Sequence, residues 1–273
     1  MQETYDFERT WLAKFAGCLD EVAGEEIRRE VMAGSEDLSS QSSRQTVIAW
    51  SKSAMERLDA AVGDEAERRQ IMTGCACQYP KVNLQEIKQK YAETRDIDLA
   101  RQMLQAQFED FLKNVMRLDD ALIEEIVRRG WGSAGVKQGN TIIATKIPKS
   151  GFLIEYMQET DPEKKRQYYC HCPRIRDALK TSETLSPTYC YCGAGFYKGI
   201  REEILQQAVE VEILETVLQG GEVCKVAIHL PPNLVARSRQ QIAAELEGAA
   251  LPPPDEIIHQ VREARDAEYA NLR

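Results

Sequence analysis

The sequence contains no apolar run approaching the roughly 18 residues that a membrane span requires. Its opening, MQETYDFERTW, is acidic and has no apolar centre, so it is not expected to act as a signal peptide. No lysine/arginine block or basic stripe interleaved with aromatics is present. With a net charge of −9, most of the surface would repel a polyanion, and nucleic acid is not an expected partner. Only three histidines occur, and neither the phosphate-loop nor the dinucleotide fingerprint is found. No Ser/His/Asp constellation can be placed. These absences point to a cytoplasmic protein that meets a small molecule, not a membrane or a nucleic acid, with a homo-oligomer left open.

What is present is thiol. The chain has 273 residues, 43% hydrophobic and 29% charged, enough to bury a core without disulfide staples. Six of its eight cysteines fall in Cys-x-Cys pairs: Cys75/Cys77, Cys170/Cys172 and Cys190/Cys192. In a reducing compartment such cysteines indicate metal ligation or redox chemistry, and a disulfide inside one pair would close a strained ring.

The expected fold class is α+β, a helical unit followed by a small antiparallel sheet with flanking helices. Helical periodicity predicts helices over 5–33, 45–61, 65–72, 97–116 and 118–129, with Gly74 and Gly130 as stops. Asn83 with Glu86 reads as a capping box, and Cys18 as a core thiol. After Trp131-Gly132-Ser133, the β-type runs 141–145 and 152–156 suggest one hairpin, and 209–218 with 223–230 a second around Gly220-Gly221. Helices are expected near 173–180, 195–206, 234–248 and 255–271, the last two separated by Pro252–Pro254. The domain division read from this is 1–133 helical, 134–232 ligand- and metal-binding, and 233–273 a helical extension.

Cys172 precedes Pro173, a residue favoured in a first helical turn, and Cys190/Cys192 precede Gly193-Ala194-Gly195 and a helix. Helix N-termini favour thiolate, the form that serves both as metal ligand and as nucleophile. Cys75, Cys77, Cys170, Cys172, Cys190 and Cys192 are therefore candidate metal ligands, for zinc or alternatively an iron–sulfur cluster. His171, lying between two of these thiols, is the candidate acid/base group. Tyr169, Tyr189, Tyr191, Tyr197, Lys198, Gly193 and Gly195 are candidate substrate contacts, as aromatic walls and a glycine-rich helix entry.

The segment CGAGFYKGIREEIL followed by VEVEILETVLQGGEVCKVAIHLP resembles the end of the four-vinyl-reductase-type small-molecule-binding domain. It is also similar to the bacterial family of L-2-amino-thiazoline-4-carboxylic acid hydrolases. The resemblance implies an α+β ligand-binding fold and, in the hydrolase branch, hydrolytic opening of a small S/N-heterocycle. In phenol-sensing members of the first group a Glu and two Cys of this hairpin hold zinc. Here Ile213 and Thr216 stand at two of those places and only Cys224 matches, so any metal is expected at the Cys-x-Cys pairs. The resulting expectation is a metal–thiolate protein hydrolysing an amino-acid-like or heterocyclic substrate. A sensor with structural zinc and an iron–sulfur or dithiol redox protein are the alternatives.

Overall fold

The computed structural model describes residues 6–232 and 234. The described residues up to Pro231 form one compact unit. The expected helices 234–248 and 255–271, with the Pro252–Pro254 spacer, lie outside the described residues beyond Leu234.

Short polar side chains set most helix starts in the first half, by accepting N–H groups that lack an intrahelical partner. Asp6 caps α1 (Phe7–Val22), accepting from the Arg9 N–H at 3.0 Å. Gly24, at φ +89°, breaks the run expected over 5–33, and α2 (Glu25–Met32) begins anew. Ser43 caps α3 (Arg44–Ala61) and Asp64 caps α4 (Glu65–Gly74). Gly74 is not the left-handed stop that was expected; it remains helical, and Cys75 is the C-cap. Its lack of a side chain serves packing instead, because a Cβ there would lie 2.6 Å from the Cys18 sulfur.

The Asn83/Glu86 capping box does not form. Asn83 lies within a 3-10 turn, Lys81–Leu84, which leads straight into α5 (Gln85–Thr94) with no side-chain cap. Asp96 caps α6 (Ile97–Asp110), which continues as a π-helical turn, Phe111–Val115. Asp119 caps α7 (Asp120–Arg128), and Gly130 follows it at φ +67°.

β1 (Val136–Gln138) and β2 (Thr141–Thr145) form a hairpin around Gly139. The expected partner of β2, residues 152–156, is helical instead: α8 (Leu153–Gln158) buries Leu153 and Tyr156 on one face. The reason is that the other edge of β2 is already taken. β4 (Lys225–His229) pairs along it from Thr141↔His229 to Thr145↔Lys225. α9 (Pro162–Tyr169) and α10 (Pro173–Ala178) follow α8, each with a proline in its first turn. A 3-10 turn, Pro187–Cys190, runs into α11 (Tyr191–Leu205). β3 (Glu210–Glu215) pairs antiparallel with β4, as the second expected hairpin required. The sheet order is β1-β2-β4-β3, and the chain is a mixed α+β protein.

Helix α11 lies at the centre of this unit, packed against α4 and α5 on one side and β3 and β4 on the other. Its buried residues include Ala194, Tyr197, Ile200 and Ile204, and those of the sheet include Ile142, Val226 and Ile228. Among the described residues no helix is long and apolar enough to cross a membrane.

Candidate thiol site

Three features of the sequence bring the cysteines together. Gly195 lets α11 cross α4 with backbone against side chain, since a Cβ at Gly195 would lie 2.8 Å from the Ala76 Cβ and closer still to the Thr73 carbonyl. That crossing sets Cys75, at the end of α4, beside Cys192, in the first turn of α11. Pro173 starts α10 with Cys172 as its N-cap. The ends of β2 and β4 then bring Lys146 and Cys224 to the same place, the Lys146 N–H donating to the Cys224 carbonyl at 2.9 Å.

The Cys192 sulfur lies 4.0 Å from the Cys75 backbone carbonyl, and the two side chains perturb each other's acidity. The Cys75 thiol donates to the Met72 carbonyl at 3.2 Å. Cys192 is the more acidic of the pair. Its pKa is lowered to about 7 by the Cys75 hydrogen bond and the Trp11 indole N–H, with the charges of Lys146 and Arg174 adding to the effect; burial opposes it. Cys75 moves the other way, raised by the same hydrogen bond and by burial.

The remaining thiols surround this pair. Cys18 and Cys77 both feel the charge of Cys192, and burial raises both. Cys170, Cys172, Cys190 and Cys224 form a second group, coupled to one another and raised by desolvation. All six paired cysteines thus lie in one region of the fold within electrostatic reach of others, together with Cys18 and Cys224. No group of three or more His, Cys, Asp or Glu side chains is arranged to hold a metal ion among the described residues.

His171 does not face these sulfurs as a proton donor. Its Nε2 lies 2.7 Å from the Ile147 carbonyl, an acceptor only, so Nε2 carries the proton and Nδ1 does not. Burial, reinforced by Lys146, lowers its pKa to about 3, and it stays neutral near pH 7.

Tyr169, Tyr189 and Tyr197 are interior, and of the four candidate tyrosines Tyr191 alone borders a hollow. Tyr169 donates to the Lys146 carbonyl and accepts from the Cys224 N–H at 3.0 Å, tying the ends of β2 and β4 together. Tyr189 accepts from Arg174 at 3.1 Å, and Tyr197 is buried against α11's neighbours. Tyr191 has Arg69 over its ring at 5.1 Å and borders a hollow of about 250 Å³. Lys198 is held by Glu202 and, at 2.9 Å, by the Val209 carbonyl. Gly193 and Gly195 sit in the first turns of α11 as expected, Gly195 occupied with the helix crossing and Gly193 open.

Trp11 was legible only as part of a helical stripe, and its role is larger. The ring stacks on Phe15 at 5.2 Å and Tyr189 at 5.7 Å, with the Arg174 guanidinium 4.2 Å above it. Arg174 is itself buried against Glu8, which Arg44 also reaches at 3.0 Å. This stack fixes the indole N–H that Cys192 uses. A cleft of about 870 Å³ runs from the thiol cluster along α4 and α11, its walls including Cys18, Cys77, Tyr79, Lys81, Phe196 and Lys198.

Residues 156–235 match the model of a family of unknown function (DUF6144), so the matched region holds α9, α10, α11, β3 and β4 with five of the eight cysteines. No curated protein and no solved structure matches the chain.

Proposed function

We propose that this is a cytosolic dithiol enzyme acting on a small disulfide, with Cys192 as nucleophile and Cys75 as the thiol that resolves the intermediate. The observation that carries this reading is the nearness of Cys192 to Cys75, the Cys192 sulfur lying 4.0 Å from the Cys75 backbone carbonyl across 117 residues of sequence, set by a helix crossing with no room for a larger residue than glycine. In a reducing cytosol both thiols begin reduced. The Cys192 thiolate attacks one sulfur of the substrate, its S–S bond breaks, and the first thiolate leaves and takes up a proton. Cys75 then gives up its proton and attacks the Cys192 sulfur, releasing the second thiol. Two electrons and the Cys75 proton pass from the protein to the substrate, the second proton comes from solvent, and a cellular thiol reductant restores the pair.

The test uses cystine as the probe with anaerobically reduced protein. A Cys75–Cys192 disulfide, found by peptide mapping with two free cysteines released per chain, supports the proposal. Protein disulfides at other positions, or none, would overturn it.

A second reading is favoured by the gathering of the Cys-x-Cys pairs in one region: a metal–thiolate centre that hydrolyses an amino-acid-like or heterocyclic substrate, as the family resemblance implies. The thiols as placed do not form a ready ligand set, so this reading requires them to rearrange around zinc. Anaerobic protein retaining one zinc per chain, lost on Cys190→Ser together with thermal stability, would favour this reading over the first.

A further inference from the structure

Several half-buried lysines of the unit have carboxylate partners: Lys137 meets Asp98 at 2.5 Å, Lys225 meets Glu215 at 2.8 Å, and Lys198 meets Glu202, whereas Lys149 and Lys165 have none among the described residues. Lys146 has none among the described residues, although its backbone is clamped on both sides by Cys224 and Tyr169. The groups that feel its charge are Cys77, Cys170, His171, Cys190, Cys192 and Cys224. Five of these are thiols, and the sixth is a histidine whose one proton is already committed to Ile147.

The ammonium also has space beside it. A Cβ placed on Gly193 would meet the Lys146 nitrogen at 4.0 Å and nothing else within that distance. The gap lies between a fixed positive charge and the residue that follows Cys192. A half-buried ammonium with no carboxylate partner attracts an anion strongly, because the local dielectric screens it less than water does.

We propose that Lys146 anchors the carboxylate of the substrate in the gap over Gly193, which makes the preferred substrate a small carboxylate-bearing disulfide. The assignment rests on the reading of Cys192 as nucleophile. It places the anionic group of the substrate one residue along the helix from the attacking sulfur. Lys146 takes no part in the exchange of bonds; it sets where the substrate lies.

Iodoacetate and iodoacetamide test this, being matched alkylating reagents with and without a carboxylate. Their rates at Cys192 are read by peptide mapping in the reduced full-length chain. In Lys146→Met the ratio of the iodoacetate rate to the iodoacetamide rate should fall roughly tenfold, the scale of one lost charge contact at partial burial. Lys146→Arg should restore it. Gly193→Ala keeps the charge but narrows the gap, and should lower the same ratio even if Lys146→Met folds poorly. An unchanged ratio in both Lys146→Met and Gly193→Ala, or equal slowing by both reagents, overturns the anchor and leaves the dithiol reading standing. A Cys192 that resists both reagents in the unaltered protein overturns the dithiol reading and the anchor with it.

Discussion

The Thr73 carbonyl lies against Gly195 with no space for a methyl group between them, and this contact fixes the separation of α4 and α11. Gly195→Ala therefore does more than add helix propensity. The helices must part or shift, at a cost of about 1–3 kcal/mol for overpacking. Urea unfolding should report the loss, and the yield of the Cys75–Cys192 disulfide under mild oxidation should drop in the folded fraction. A variant as stable as the parent with an undiminished yield would show that the crossing does not position the pair.

Cys192 should alkylate with half-maximal rate near pH 7, against about 8.5 for an unperturbed thiol. Trp11→Phe keeps the stacked ring but removes the indole N–H donor, so the midpoint should move upward. Iodoacetamide rates at Cys192 across pH 6–9 measure both values. An unmoved midpoint in Trp11→Phe would mean the indole does not stabilise the thiolate.

The folded protein should also lose stability in acid through His171. The ordinary histidine pKa of 6.5 falls to about 3 on burial. Between those values the unfolded chain binds a proton that the folded chain does not. The stability that this lowered pKa confers is complete above the unfolded value and declines as pH falls toward the folded one. The slope is at most about 1.4 kcal/mol per pH unit. Chemical denaturation at pH 7, 6, 5 and 4 should therefore show a shallower decline for His171→Gln than for the parent, beyond the shared effect of the carboxylates.

Glu8 and Arg174 form an ion pair in which both side chains are almost wholly buried, at 4% and 1% exposure. Glu8→Ala leaves the guanidinium without its main counter-charge and should cost about 3–5 kcal/mol. Replacing both residues, as Glu8→Ala with Arg174→Met, removes the uncompensated charge and should recover a large part of that loss. Thermal and urea unfolding of the two variants decide the matter. A double variant no more stable than Glu8→Ala would assign the loss to packing around Trp11 instead.

The elements that declared themselves in sequence did so through local chemistry. Ser43 ahead of a patterned run, Pro173 after Cys172, and Gly220-Gly221 between alternating segments each act within a few residues. The failures came from long-range competition. Residues 152–156 suit strand or helix equally, and the outcome was decided by β4 occupying the free edge of β2 from eighty residues away. Gly74 looked like a helix stop because its actual neighbour, Cys18, is remote in sequence. The six paired thiols were legible as a group, since a repeated spacing is visible in one dimension. Lys146 carried no such signal: TIIATK is an ordinary strand end, and only the pairing of β2 with β4 turns its last residue toward the sulfurs. Tyr169, Tyr189 and Tyr197 clustered in sequence for the opposite reason to the one expected, filling the interior of a site rather than its mouth.

The pairing of Glu8 with Arg174 spans 166 residues, and that of Cys75 with Cys192 spans 117. Contacts of such length form late, because a long loop must close before they return any stabilisation. During synthesis Cys75 leaves the ribosome well before Cys192, and α1 waits for α10 to exist before its glutamate has a partner. The Cys75–Cys192 contact is thus assembled among the last events of folding. An incomplete chain carries these thiols apart from one another, and they come together only when α11 has crossed α4.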